Sequence, residues 1–292
     1  MNWAYKLALH LYERNLLRFL PWRFLRTYVY PITVRGRKKP YQAAQYFESY
    51  YTATAAEFSD RMTIGPAVKE LHSRYHYNCV ENSIIRALLR CHVKEHPAVF
   101  DLGSGAGHWI DFYLGTFGAS SVYGMDISKT CVARLRSKYA HMDRVSIAEG
   151  DITNKSSRPD RKFDIVNAIG VVFHIVDDAL WLQALINMRD LLTDDGFIVV
   201  GGQFGMMTRN VQFHSTDEFK RIEDMRAAFP THEVRINKRI RSLARWKKAA
   251  IAAGLRVKLV VRTFNVPEIV TPENNVMILE RPRAGRADPS SA

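Results

Sequence analysis

The stretch Ala98-Val-Phe-Asp-Leu-Gly-Ser-Gly-Ala-Gly107 constrains the chain more than any other. Ala98 to Leu102 is too short for a helix and too apolar for a surface loop, so it reads as a strand of a parallel sheet covered on both faces. Gly103, Gly105 and Gly107 follow at alternate positions, where a missing Cβ allows a sharp turn and the close approach of a ligand. From His108 to Phe117 there is no breaker before Gly115, and Trp109, Ile110, Phe112, Tyr113 and Leu114 predict a helix whose N-terminus faces the turn. Strand, glycine turn and helix together predict a nucleotide site of the doubly wound type, at the carboxyl end of the first strand.

A dinucleotide site wants G-x-G-x-x-G, with a pyrophosphate on the helix N-terminus. Here the spacing is G-x-G-x-G, and position 108 is a bulky His. Asp101 stands immediately before the turn, where it repels a pyrophosphate and suits a cationic or amino-bearing ligand. In this motif, Asp101-Leu-Gly103-Ser104-Gly105-Ala-Gly107, the sequence resembles the class I S-adenosylmethionine-dependent methyltransferases, whose first motif is an acid followed by x-G-x-G-x-G. The resemblance implies a Rossmann-like α/β domain with a seven-stranded, mostly parallel sheet and an antiparallel last strand. It also implies S-adenosyl-L-methionine as cofactor, its methionine and ribose against the glycine turn and its amino end held by Asp101.

Further residues fall in register with that resemblance. Ser121 to Asp126 reads as a second strand ending in an acid, about 20 residues beyond the glycines, where a βαβ unit places a carboxylate over a ribose. Ile127 follows it. After a third strand over 144–149, Asp151 is the expected partner of the adenine amino group and Ile152 the residue packing on the ring. Phe163 to Ala168 reads as the fourth strand and places Asn167 at the cofactor. Its loop carries Phe173 and His174, and resembles methyltransferases acting on small molecules. Asn167-Ala-Ile-Gly170 is not the N/D/S-P-P-aromatic motif of amino methylation in nucleic acid, and no Pro-Cys pair offers a nucleophile for methylation at pyrimidine carbon. His174 is the expected general base or pocket wall, since His removes a proton near neutral pH.

The expected organisation is a helical N-terminal extension over 1–77, a methyltransferase domain over 78–281 with a substrate-binding insertion at 204–240, and a disordered tail over 282–292. Tyr75, His76 and Tyr77 are lid candidates, and His214 and Arg241 substrate-binding candidates. Lys238, Arg241, Arg245 and Lys248 recur at helical spacing and predict one cationic face of a helix. In residues 1–30 aromatic side chains alternate with Arg14, Arg18, Arg23 and Arg26, which fits either a helix packed on the domain or an interfacial helix on an acidic membrane.

The formal net charge of +13 on 292 residues means that some face attracts anions, but charge alone does not choose the anion. Cys79, Cys91 and Cys131 lack C-x-x-C spacing, which argues against a disulfide framework or a zinc site and for a reducing cytosol. No signal-peptide core precedes a small-residue cleavage site, and no run reaches the roughly 20 apolar residues of a membrane span. The expected location is cytoplasmic, with peripheral contact at the inner membrane surface through residues 1–30. Three functional readings stand: methyl transfer to an O or N atom of an anionic small-molecule, saccharide or lipid-linked acceptor; RNA methylation, which the absent motifs oppose; and a non-catalytic interaction protein of the same fold. No metal is expected, because the His and acid residues lack ligand spacing.

Overall fold

The computed structural model describes residues 42–53, 59–60, 63, 70–205, 208–214, 235–263 and 274–282. The expected interfacial segment over 1–30 and most of the C-terminal tail lie outside these residues. In chain order the elements are α1 (Ala43–Ala53), α2 (Glu70–Cys91), β1 (Ala98–Leu102), α3 (His108–Thr116), β2 (Ser121–Asp126), α4 (Lys129–Lys138), β3 (Val145–Glu149), β4 (Phe163–Ile169), α5 (Asp178–Asp190), β5 (Leu192–Gly205), β6 (Arg209–His214), β7 (Arg235–Ser242), α6 (Leu243–Ala252), β8 (Arg256–Val261) and β9 (Asn274–Glu280).

The central sheet runs β3-β2-β1-β4-β5-β9-β8, with β9 antiparallel to both β5 and β8 and the other strands parallel to one another. Successive side chains of a strand point to opposite faces. Val99, Ile165, Val199 and Ile278 therefore pack under α2 and α3 on one side, while Phe100, Val166, Ile198 and Leu279 pack under α5 and α6 on the other. Burial on both faces explains why these strands read as continuous apolar runs. The register matters for the site: Asp101 lies opposite Gly124 of β2 and Asn167 of β4, so the carboxyl ends of the central strands are level.

Helix α2 begins at Glu70 and is continuous through residues 77 and 78, so Tyr75, His76 and Tyr77 belong to the helix that leads into β1. Its buried residues Ser73, Tyr77, Val80, Ile84, Ala87, Leu88 and Cys91 recur at three- and four-residue spacing and form its inner stripe.

The expected helix with Lys238, Arg241, Arg245 and Lys248 on one face is corrected. Arg235 to Ser242 is a strand, and the helix starts only at Leu243, capped by the Ser242 hydroxyl, which accepts from Arg245 N. Lys238 and Arg241 thus sit on β7 and only Arg245 and Lys248 on α6. Tertiary pairing overrides the helical spacing of the basic residues: β5 extends to Gly205, its end pairs in parallel with Arg241 and Ser242, and β6 pairs with the other edge of β7. Buried Ile240 anchors the strand.

Arg241 fastens this hairpin to the domain. Only 1% of its side chain is exposed. Its Nε donates to Asp178 Oδ1 (3.0 Å), Nη2 donates to Ile175 O (2.9 Å), and the guanidinium lies 4.1 Å from the Trp181 ring centroid. Truncating one member of such a buried pair strands the other. Arg239 and Arg245 still reach Asp178, so Arg241→Ala should lower stability by about 2–4 kcal/mol, measured by urea denaturation. A loss below about 0.5 kcal/mol, the range of ordinary surface changes, would contradict this role.

Candidate functional site

Gly103, Gly105 and Gly107 have φ of +67°, +54° and +91°, a region that side-chain-bearing residues rarely adopt. The turn folds over the end of β2, with Gly103 N and Ser104 N donating to Met125 O at 2.7 and 3.2 Å. At Gly105 a Cβ would also lie 2.9 Å from Thr63 Cγ2 and 3.5 Å from the Tyr51 hydroxyl, so residues from before the domain close over the turn.

Asp101 is fully buried at the mouth of this turn. Asn167 Nδ2 donates to its Oδ1 at 2.7 Å, and the Tyr113 hydroxyl donates to Asn167 Oδ1 at 3.2 Å. Its other oxygen, Oδ2, has no hydrogen-bond partner among the described residues. Burial, reinforced by nearby Asp126 and only partly offset by Asn167 and Ser104, pushes the carboxyl up to about 7. Asn167, expected at the cofactor, thus has its amide aligned on Asp101 and orients that carboxylate. Ser104 is buried, its hydroxyl donating to Asp101 O at 3.0 Å.

Asp126 Oδ2 accepts from Gly105 N and its Oδ1 from Ser128 N, both at 3.0 Å, so this acid bolts the glycine turn to the start of α4. Ile127 beside it is half-buried. Asp151 Oδ1 accepts from Thr153 N and the Thr153 hydroxyl, each at 2.8 Å, in a local turn after β3. Ile152 is buried, and its carbonyl accepts from Asn187 Nδ2 at 2.6 Å.

A roof closes these strand ends. Glu48 of α1 accepts from the Ser128 hydroxyl (2.7 Å), the Thr130 hydroxyl (2.6 Å) and Thr130 N (3.2 Å), pinning α1 on the first turn of α4. From the preceding position of α1, the Phe47 ring meets His174 edge-on at 5.0 Å, and Phe173 packs against the same imidazole at 4.5 Å. Buried Tyr77 stacks on His108 at 3.7 Å and hydrogen-bonds the Thr63 hydroxyl at 2.5 Å. Tyr75 and His76 are half-buried on the same helix, and burial brings the His76 imidazole down to about 4. The structure therefore brings together Asp101, the glycines, Asp126, Tyr77, Phe173 and His174, whereas Arg241 is committed to Asp178 and backbone carbonyls. His214 is on β6, and its side chain lies outside the described set. Among the described residues no group of His, Cys, Asp and Glu is placed to hold a metal ion, and no helix is long and apolar enough to cross a membrane.

Phe47, Glu48, Tyr51 and His108 were not among the residues expected at the site. The aromatic pairs of α1 at three- and four-residue spacing mark an inward face, and His108 occupies the position next to the last glycine of the motif. His108 Nδ1 lies 3.0 Å from Asp60 Oδ2 and Nε2 lies 2.8 Å from Glu81 Oε1. Burial alone would depress this imidazolium, but the two carboxylates overcome it and hold it up to about 9. An unfolded His titrates near 6.5, so this stabilisation is complete below that pH and is lost as pH rises through about 9. With Asp60 partly exposed, wild type should lose about 1–3 kcal/mol relative to His108→Gln between those pH values, measured by denaturant unfolding. Parallel pH curves would contradict the clamp.

Residues 99–196 match the family described as "Methyltransferase domain". No curated protein sequence matches the chain. Among solved structures, an S-adenosylmethionine-dependent methyltransferase from Clostridium acetobutylicum aligns with TM-score 0.55 and 11% identity over 79% of this chain and 98% of that one. Magnesium protoporphyrin IX methyltransferase from Synechocystis, solved with bound S-adenosylmethionine, aligns with TM-score 0.55 and 12% identity over 84% and 100%. A methyltransferase from Streptomyces caelestis aligns with TM-score 0.53 and 15% identity over 82% and 99%. The chain has the class I methyltransferase fold, and its residues 99–196 match the methyltransferase domain family.

Proposed function

We propose that this protein is an S-adenosylmethionine-dependent methyltransferase acting on an O or N atom of an anionic small-molecule acceptor, either free or carried on a saccharide or lipid. The observation that carries the cofactor assignment is Asp101 Oδ2, a carboxylate oxygen with no partner among the described residues, buried beside a turn whose three glycines all hold positive φ. A buried anion of this kind calls for a cation, and the α-ammonium of a methionine moiety supplies one. When bound, the cofactor presents an activated methyl group on a sulfonium sulfur.

The protein's part is to align, to exclude water and to manage one proton. Asp101, oriented by Asn167, would hold the ammonium. Asp126 retains acceptor capacity beyond Gly105 N and Ser128 N for two ribose hydroxyls. Asp151 and Ile152 follow β3 and would meet the adenine. Phe47, Tyr51 and Tyr77 would keep water out from above. His174, between Phe47 and Phe173 at the acceptor end, would take the proton from an acceptor hydroxyl or wall the pocket.

Calorimetric titration with S-adenosylmethionine and its demethylated product tests the cofactor assignment, and Asp101→Ala and Asp126→Ala should each lose about tenfold or more in affinity. A folded wild type that binds neither compound would contradict the enzyme assignment. Because the free Asp101 carboxyl sits near 7, it must release a proton before an ammonium docks. Affinity should therefore fall by up to about tenfold per pH unit below 7, and Asp101→Asn should abolish that dependence. A pH-independent wild-type affinity would contradict the pairing.

For His174→Ala, a kcat loss of about a hundredfold or more at unchanged cofactor affinity identifies a general base. A raised KM at preserved kcat identifies a pocket wall instead.

A further inference from the structure

We propose that Arg239 and Arg245 form the receptor for the anionic oxygen group of the methyl acceptor, a phosphate or a carboxylate; this rests on the methyltransferase reading above. The hairpin strand β7 and the start of α6 bring four cationic side chains to the loop that follows β4. Asp178 meets Arg239 at 2.8 Å and Arg241 at 3.0 Å and also pairs with Arg245. Asp177 turns away to cap α5, its Oδ1 accepting from Ala179 N at 2.8 Å and Leu180 N at 2.9 Å. Among the described residues, these two carboxylates do not neutralise the three guanidinium groups of Arg239, Arg241 and Arg245.

The cations divide the work. Arg241, at 1% exposure, serves the fold. Arg239 and Arg245 keep 26% and 44% of their side chains open to solvent. The Arg239 Nε–H is buried and has no acceptor among the described residues, a donor whose desolvation is left without return. The Nε edge of a guanidinium fork is one that grips a carboxylate or phosphate with two parallel hydrogen bonds. Arg239 therefore has Nη2 on Asp178 and its Nε–H still to be satisfied.

Position ties the cluster to the acceptor end of the pocket. Lys238 Nζ lies 5.2 Å from the Phe173 ring centroid, and Phe173 packs on His174. Arg241 grips Ile175 O, immediately after His174. An anion on Arg239 and Arg245 would sit beside the loop that carries His174, across the site from Asp126 and α4. It would hold the acceptor by a group other than the one methylated.

The test follows the arginine Nε–H resonances of the full chain by NMR while inorganic phosphate, and separately acetate, is added at constant ionic strength, with and without saturating S-adenosylhomocysteine. The expected result is a saturable shift of the Arg239 Nε–H with phosphate or acetate, weakened about tenfold in Arg245→Gln. Arg239→Gln should lose the saturable phosphate response elsewhere in the cluster. Co-sedimentation with phosphatidylcholine vesicles, with and without phosphatidylglycerol, separates the sources. Binding to the anionic vesicles that is lost in Arg245→Gln assigns a lipid-borne phosphate, and phosphate binding without vesicle binding assigns a soluble acceptor. No saturable shift in folded wild type, or one that Arg245→Gln and Arg239→Gln both leave unchanged, overturns the proposal. The cluster consists of the chain's own residues, so phosphate binding without S-adenosylhomocysteine binding would fail the methyltransferase reading alone, and the reverse result would fail the anion receptor alone.

Discussion

A buried carboxylate with one oxygen satisfied and one left open is the interaction on which the site depends. Parallel pairing sets Asp101 opposite Asn167, the Asn167 amide takes one carboxylate oxygen, and Tyr113 fixes that amide from behind. Burying an uncompensated charge opposes folding, and the protein bears this at the carboxyl end of its central strands, where the doubly wound topology opens its crevice. The glycine turn follows Asp101 directly, and Asp126 keeps it in place through Gly105 N. Asn167 and Tyr113 thus orient Asp101, and Asp126 holds the backbone turn that follows it.

Two additions from outside the sheet complete the enclosure. Helix α1 lies over the start of α4 and is held there by Glu48 on Ser128 and Thr130, where hydrogen bonds outweigh burial and bring the Glu48 carboxyl below its usual range. The β6–β7 hairpin pairs with the end of β5, past its pairing with β4, and is held by Arg241. His174 stands where these additions converge, touched by Phe47 from α1 and by Phe173, on which Lys238 of β7 lies. The sheet and glycine turn are the general part of the molecule, and the roof and hairpin are the parts that give the pocket its own shape and charge.

Local physics made the sheet readable in the sequence. Strands buried on both faces are short apolar runs, and Ala98–Leu102, Ser121–Asp126 and Phe163–Ile169 fall where those runs stand. The strand β7 was not readable, because Lys238, Arg241 and Arg245 carry helical spacing while the pairing that makes residues 235–242 a strand comes from the distant end of β5. Arg241 looked like a ligand for the same reason: nothing local shows that Asp178 and the 175–177 carbonyls consume its donors. His108 was legible only as a departure from dinucleotide spacing, since its partner Asp60 is 48 positions earlier in the chain. Asp101 was legible as a charge in an unusual place, whereas its half-satisfied state needed the strand register.

The most direct measurement is the titration of the Asp101 carboxyl carbon by NMR in the free protein and in the presence of saturating S-adenosylhomocysteine. The account predicts a midpoint near 7 in the free protein, the value to which burial pushes it. With the ligand's ammonium on the open oxygen, the midpoint should fall by at least about one unit, the direction an opposite charge imposes. An Asp101 that titrates in the ordinary carboxylate range and does not move when the ligand saturates the protein would contradict the account.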